Sequence, residues 1–305
     1  MSRSLFKPLR TLSLRTPVQV PSIIGPILRS FGNSAGQTVD QQPIYADHVS
    51  LNGFQRTFLA IGSAFASLNN PYRADMIAVL SETTGGPFLS RLRDQMLEDE
   101  GGRRLLRDRP RINTSTVDLD QLEKCRREPL GKSTAIGCGG VRSRLILGSR
   151  LVLSLLFVLT RFMFTRICVS LLKVRFIDSP ELAYVMQRYR ECHDFYHVIS
   201  GPFPVNISGE IVVKWIELAN MGLPVAALSA IFGPLRLNSE KRTDLLRTYV
   251  PWALRTGSSC KPLICVEWEK NWETPIKDLK LSLGIPEPPI DFKTWMDLQR
   301  KQNSQ

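Results

Sequence analysis

The amino-acid sequence predicts an all-α fold, a single helical domain with a buried metal site between two consecutive helices. Apolar residues recur at spacings of three and four from residue 50 onward, which is the period of an amphipathic helix. Capping residues, glycines and prolines divide these runs, and the sequence shows no alternation of strand and helix patterns. The chain has 305 residues, 43% of them apolar, and is therefore long enough to bury a substantial core.

Three helices are predicted in the first half of the chain. The first carries an apolar stripe and closes at Asn69-Asn-Pro71. The other two are expected at 72–80 and 88–100. A turn at Glu82-Thr-Thr-Gly-Gly-Pro87 separates them, and Gly101-Gly102 stops the last one.

Five helices are predicted in the second half. Asp178-Ser-Pro-Glu181 begins the first with a cap residue, a first-turn proline and an early acid. Ser208 is expected to cap the second, which ends before Gly222. The other three are expected at 224–232, from Ser239 with a kink at Pro251, and at about 274–283. We expect a polar tail over 287–305.

The formal net charge of +12 is concentrated in two segments. Residues 1–39 contain five Lys or Arg and residues 129–177 contain eight, and neither segment contains an acid. The remainder of the chain is therefore close to neutral. A nucleic-acid-binding protein needs a basic face that follows the phosphates, so we predict no nucleic-acid partner.

The N-terminal segment 1–39 has the composition of a mitochondrial transit peptide, because it is rich in Arg and Ser, lacks acids and has only short apolar pairs. A disordered basic tail is the alternative. A secretory signal is excluded, because it would need an apolar run of about 7–15 residues that this segment lacks. Import would place the chain in the reducing matrix, and its six cysteines, without a C-x-x-C pair, predict unpaired buried thiols.

Residues 133–174 differ in composition from their surroundings. They are mostly apolar, but arginines at 150, 161 and 166 interrupt them, and the longest uncharged stretch there is Leu151–Thr160. A spanning helix needs about 20 apolar residues. We therefore expect an interfacial or poorly ordered insertion and no membrane span.

Two of the three histidines lie in one short run, His193-Asp-Phe-Tyr-His197, and Glu210 follows thirteen residues later. On a helix, positions i and i+4 share a face, so both imidazoles can bind one ion, and Asp194 can add an oxygen. The short Pro-rich loop can fold the next helix back and bring Glu210 to the histidines. The expected ligands are His193, Asp194, His197 and Glu210, a set suited to Zn²⁺, Fe²⁺ or Mn²⁺.

Other interpretations of these residues remain open. The histidines could form a buried core pair, and Glu210 could be an acid that favours a helix N-terminus. A zincin helix carries His-Glu-x-x-His, where this chain has the shorter Asp194. A His-Asp phosphohydrolase needs an upstream histidine, for which only His48 is available.

The motif resembles that of the mitochondrial coenzyme Q (ubiquinone) biosynthesis protein four family. The resemblance rests on His-Asp-x-x-His, on Gly209-Glu-Ile-Val-Val-Lys-Trp215 and on Phe232-Gly-Pro-Leu-Arg236. Further matching stretches, spread over about 45–286, are Ala64-Phe-Ala-Ser67, Pro71-Tyr-Arg-Ala-Asp75, Glu82-Thr-Thr-Gly85, Arg109-Pro-Arg-Ile-Asn-Thr-Ser-Thr116, Glu181-Leu-Ala-Tyr-Val185, Gln187-Arg-Tyr-Arg190, Tyr249-Val-Pro-Trp252, Glu267-Trp268 and Trp272.

The resemblance implies an all-helical matrix protein, peripherally attached to inner-membrane lipid and associated with other enzymes of the ubiquinone-synthesis complex. It implies zinc, or another divalent metal, on the four residues of the motif. It also implies a carboxy-lyase that removes the C1 carboxylate of 4-hydroxy-3-methoxy-5-polyprenylbenzoate to give 2-methoxy-6-polyprenylphenol. The metal would hold negative charge, and Asp194 or a metal-bound water would handle the proton. Lys214 and Arg236 are candidates for recognising the aromatic head.

The sequence departs from the family pattern at two places. The loop between His197 and Glu210 is one residue longer, and 133–174 replaces a connector that carries Ser-Pro-Asp-Thr-Arg in the family. A gene-model error such as a translated intron would explain the second departure.

A second function hypothesis belongs to a different class. In it the protein is a non-catalytic, lipid-binding scaffold of the synthesis complex, and its metal is structural. Three protein ligands and an open position favour catalysis, whereas four that close a tetrahedron favour structure.

Overall fold

All the regular elements in the described part of the chain are helices, which confirms the predicted all-α class. The computed structural model describes residues 44–70, 73–112, 172–201, 203, 206–271 and 274–302, and these residues contain no β-strand. The α-helices are α1 (Gly53–Asn69), α2 (Ala74–Glu98), α3 (Glu100–Asp108), α4 (Pro180–Ser200), α5 (Ile207–Met221), α6 (Pro224–Phe232), α7 (Ser239–Ser259), α8 (Ile276–Leu283) and α9 (Phe292–Gln302). Short 3₁₀ turns lie at Gly233–Arg236, Leu263–Cys265 and Trp268–Lys270.

Two predicted segments fall wholly or mostly outside these residues. The predicted transit peptide 1–39 lies wholly outside them. Of the predicted insertion 133–174, only residues 172–174 are described. Among the described helices, none has both the length and the apolar character that a bilayer crossing requires. Three cysteines are described, Cys192, Cys260 and Cys265, and they are buried free thiols, as predicted for them.

The predicted turn at 82–87 is wrong, because α2 continues through it with Pro87 inside the helix. Burial explains the difference, since this part of α2 packs tightly against α4. A Cβ added at Gly85 would lie 3.2 Å from the Met186 Cε atom and 3.0 Å from Leu89 Cδ1. Contacts of a buried helix face can outweigh the local cost of a proline.

Gly101 and Gly102 do not stop a helix. Both lie in the first turn of α3, where Asp99 Oδ1 accepts a hydrogen bond of 2.9 Å from the Gly102 N–H. Glycine is needed at Gly101 for close packing, because a Cβ there would lie 2.7 Å from the Cys265 carbonyl oxygen. The pair therefore permits a close approach between α3 and a later turn.

The start of α4 agrees with the sequence prediction, and the cap of α5 does not. The Ser179 side chain caps α4 by accepting from the Leu182 N–H. The cap of α5 is Asn206, whose Oδ1 accepts from the Gly209 N–H at 2.9 Å, so the prediction of Ser208 is wrong by two residues. At the other end of α5, Gly222 adopts φ 68°, as expected for a glycine that ends a helix.

The segment predicted as a polar tail contains helix α9. Phe292 and Trp295 from this helix are buried in the main core. The Trp295 indole N–H donates to Asp244 Oδ2 of α7 at 2.5 Å. The burial of these two aromatic side chains holds α9 against the core, although the overall composition of the helix is polar.

A buried ion pair joins α2 to α4. Arg190 Nη2 lies 2.7 Å from Glu82 Oε1, and both side chains are almost completely inaccessible to solvent. The second Glu82 oxygen, Oε2, accepts the backbone N–H groups of Arg175 and Phe176 at 2.8 Å each. The Glu82 carboxylate therefore holds both α4, through Arg190, and the chain segment that precedes α4.

We predict that Glu82→Gln lowers the free energy of unfolding by about 3–5 kcal/mol, because it leaves the Arg190 charge buried without a carboxylate. Urea denaturation measures the change. The matched control is Glu98→Gln on the exposed side of the same helix, which should shift stability by less than about 0.5 kcal/mol. Equal stability of the two variants would contradict the prediction.

Candidate metal centre

Three of the four predicted ligands meet at one point. His193 and His197 lie one turn apart on α4, and their Nε2 atoms are 3.3 Å apart. Glu210, in the first turn of α5, places Oε2 at 3.3 Å from His193 Nε2 and Oε1 at 3.3 Å from His197 Nε2. One donor atom from each residue lies within 4.8 Å of the others.

The chain reversal between α4 and α5 brings these residues together. Gly201 directly follows α4 with φ 146°, a conformation that a side chain would strain. The Phe203 carbonyl then accepts from His197 Nδ1 at 3.3 Å. With Nδ1 bound to the backbone, His197 directs Nε2 toward Glu210.

His193 is oriented by a buried carboxylate, Glu217, which sequence analysis missed. Glu217 Oε1 accepts from His193 Nδ1 at 2.6 Å. Its Oε2 accepts from the Tyr189 hydroxyl at 2.6 Å and from Lys214 Nζ at 2.8 Å. A carboxylate on the far nitrogen of a histidine is a common support for metal ligands, because it fixes the ring and leaves Nε2 free to bind.

The electrostatics favour charged forms in this cluster. Burial and Lys214 oppose the charge on His193, but the carboxylates of Glu217 and Glu210 prevail and raise its pKa to about 10. Burial likewise opposes ionisation of Glu217, yet Lys214 and His193 lower its pKa to about 2. The two imidazoles hold the pKa of Glu210 well below its usual value against the effect of burial. In the absence of a metal the carboxylates are therefore ionised and His193 carries a proton, which it would lose on binding a cation.

Asp194 does not belong to the group of converging donor atoms. It is buried on α4, and burial raises the pKa of its carboxyl group. Its role as a ligand stays a prediction.

The sequence contained one signal for Glu217. Glu210, Lys214 and Glu217 are spaced i, i+4 and i+7, which places all three on one face of α5. Lys214, considered above for the aromatic head, lies in this network. Arg236 instead donates to the carbonyls of Ser67 and Leu68 at the end of α1.

The donor set fits a divalent ion of the zinc type. Ligand atoms placed about 2.0–2.1 Å from one tetrahedral ion lie about 3.3–3.4 Å apart. The two imidazole Nε2 atoms are 3.3 Å apart and so match this spacing, and each lies 3.3 Å from a different carboxylate oxygen of Glu210. Two imidazoles and a carboxylate also suit iron and manganese.

The sequence matches the family described as Coenzyme Q (ubiquinone) biosynthesis protein Coq4 over residues 45–135 and 170–289. The chain belongs to this family. The matched ranges include every residue of the cluster and of its Glu217 support.

Curated relatives from distant organisms agree with this assignment. A mitochondrial ubiquinone biosynthesis protein COQ4 of Coprinopsis cinerea is 46% identical over 256 residues, which is 83% of this chain and 79% of the relative. The Schizosaccharomyces pombe protein of that name is 40% identical over 91% of this chain and 93% of its own length. The Bos taurus homologue is 41% identical over 81% of this chain and 84% of its own.

A solved structure shares the fold. The crystal structure of a candidate ubiquinone biosynthesis protein from Nostoc punctiforme superposes with a TM-score of 0.53 at 19% identity. The match covers 77% of this chain and 99% of that protein. At this identity the likeness concerns the helical architecture alone.

We predict that Glu217→Gln weakens Zn²⁺ affinity by about 10–100-fold, because it removes the anionic support of His193 while leaving all donor atoms in place. Competition with a chromophoric chelator measures the affinity. The matched control, Glu240→Gln, alters an exposed acid in the first turn of α7 and should leave the affinity unchanged. An unaltered affinity in Glu217→Gln would show that the contact with His193 is structural only.

Proposed function

We propose that the protein is a metal-dependent carboxy-lyase of ubiquinone biosynthesis. Its substrate would be 4-hydroxy-3-methoxy-5-polyprenylbenzoate and its product 2-methoxy-6-polyprenylphenol. The observation that carries the proposal is the convergence of His193, His197 and Glu210, with a buried carboxylate behind one histidine. Membership of a ubiquinone biosynthesis family supplies the pathway.

The proposed role of each residue follows from its position in the cluster. His193, His197 and Glu210 would hold a divalent ion, with Zn²⁺ first among the candidates. The ion supplies a Lewis acid that stabilises negative charge on a substrate oxygen. Glu217, through its hydrogen bond to His193, keeps that ligand in place before substrate arrives.

The carboxyl of Asp194 is proposed to move the proton. In decarboxylation the bond from C1 to the carboxylate breaks, CO₂ leaves, and the electron pair stays on the ring carbon. A proton must then reach C1. Asp194 lies on the same helix as both histidine ligands, next to His193, and a positioned carboxyl is a suitable general acid.

A non-catalytic scaffold with a structural metal is the alternative function. Exposed apolar side chains on α1 favour it, since they could bind lipid or partner enzymes. The three converging donors favour catalysis, because a structural zinc normally has four protein ligands.

We further propose that the protein works at the matrix side of the mitochondrial inner membrane, with other enzymes of the synthesis complex and after removal of a transit peptide within 1–39. The mitochondrial names of the relatives support the compartment. We also propose that 133–174 is an insertion foreign to the domain. Its support is that residues 136–169 lie outside the matched family ranges.

We predict that His197→Ala lowers CO₂ release from the polyprenylated benzoate more than about 100-fold, because it removes a ligand that holds the Lewis acid. The assay uses the metal-loaded protein and follows labelled carboxylate. The control is His48→Ala, whose imidazole bonds Asp178 away from the cluster, and it should retain full activity.

Two results would contradict the proposal. Unchanged CO₂ release by His197→Ala, or after removal of the metal by a chelator, would show that the metal site does not carry the reaction. If no form of the protein releases CO₂, and changes on the surface helices abolish co-purification of partner enzymes while the metal content stays intact, the scaffold function is selected.

A further inference from the structure

The segment that follows α8 packs against the connection between α4 and α5. Gly201, the first residue of that connection, lies beside Pro288, since a Cβ added to Gly201 would be 3.3 Å from Pro288 Cγ. Two residues further on, the Ile290 carbonyl accepts from the Tyr249 hydroxyl of α7 at 3.0 Å. Helix α9 follows directly. We call residues 288–302 the C-terminal strap.

The strap buries an aromatic ring that belongs to the connection. Phe203 is 1% exposed, and its ring meets that of Phe292 nearly at a right angle, with the centroids 5.2 Å apart. Two rings of α7, those of Tyr249 and Trp252, lie 5.7 and 5.9 Å from the Phe203 ring. Aromatic pairs at such distances attract each other beyond the effect of burial. The Phe203 side chain is therefore held between α7 and the strap.

Polar contacts anchor the strap itself to α7. Asp244 Oδ2 accepts from the Trp295 indole N–H at 2.5 Å and from Gln299 Nε2 at 2.8 Å. The Trp295 ring also lies 5.2 Å from that of Phe292 and 5.7 Å from that of Tyr249. These contacts fix Phe292 at the position from which it packs on the connection.

The main chain of Phe203 contacts the metal centre. Its carbonyl accepts from His197 Nδ1 at 3.3 Å, on the side of the ring opposite to the nitrogen that faces Glu210. A partner on the far nitrogen of a metal-binding histidine orients the ring and supports its binding. The ring and the carbonyl of Phe203 belong to one residue, so packing of the ring restrains the position of the carbonyl.

We propose that the strap is a positioning element of the metal centre. Phe292 fixes the ring of Phe203, and thereby the carbonyl that orients His197. This inference rests on the proposed binding of a metal by His193, His197 and Glu210, and it is independent of the carboxy-lyase reaction.

The strap lies almost wholly beyond the family match, which ends at residue 289. The two histidines are therefore supported from different parts of the chain. Glu217, inside the match, supports His193. His197 depends on aromatic residues of a segment whose composition predicts only a polar tail.

We predict that Phe292→Ala weakens Zn²⁺ affinity of the full chain by about tenfold, because metal binding must then restore the orientation that His197 has lost. Competition with a chromophoric chelator measures the affinity. The matched control, Phe176→Ala, removes an equally buried phenylalanine from a separate apolar cluster with Leu51 and Val79. It should lower stability to a similar extent and leave Zn²⁺ affinity unchanged. The visible absorption of the Co²⁺-loaded protein, which depends on ligand positions, should change in Phe292→Ala and not in the control.

A milder pair of variants answers the question if Phe292→Ala does not fold, as judged by circular dichroism. Phe292→Leu keeps an apolar side chain against Phe203 and should weaken Zn²⁺ binding by about threefold, with Phe176→Leu as its control. If the folded Phe292 variants bind Zn²⁺ as tightly as their Phe176 counterparts, the strap has no positioning role.

The outcomes separate this inference from the proposed function. Zn²⁺ binding that is insensitive to Phe292 would overturn the role of the strap alone. Failure of the unaltered protein to bind Zn²⁺ would contradict the metal centre and the strap together. Absence of CO₂ release, with Zn²⁺ affinity still dependent on Phe292, would contradict the lyase function and support the strap.

Discussion

The burial of α4 is the constraint on which the rest of the structure depends. Of its 21 residues, 17 are buried, and they include charged side chains that cannot lie in a protein interior without partners. Arg190 is paired with Glu82 of α2, Arg188 with Glu269, and Glu191 with Arg111. Elements before and after α4 thus hold it in one rotational setting, and that setting aims His193 and His197 at α5.

The geometry of the candidate metal centre follows from this arrangement. Both histidines are fixed at Nδ1, one by Glu217 and the other by the Phe203 carbonyl. The potential donors are therefore already organised, and little conformational freedom would be lost if an ion bound there. Glu217 also contacts Lys214 and Tyr189, so the support of the centre extends along both helices.

Local sequence patterns predict those parts of the fold that depend on interactions between residues close in sequence. The cap and proline that start α4, and the spacing of its histidines, act within one or two turns. Glu210 could be placed because the loop before it is short. Glu217 could not, since its importance comes from contacts with Tyr189 and His193 on another helix. Likewise, α2 continues through Pro87 and α9 forms because of tertiary contacts between residues that are far apart in the sequence.

The buried thiols have a chemical consequence for a protein of quinone biosynthesis. Quinones are electrophiles that react with thiolates rather than thiols. Burial raises the pKa of Cys192 and Cys265 to about 12 and that of Cys260 to about 11. At near-neutral pH these three thiols stay protonated and are shielded by burial, which lowers their reactivity toward electrophiles such as quinones.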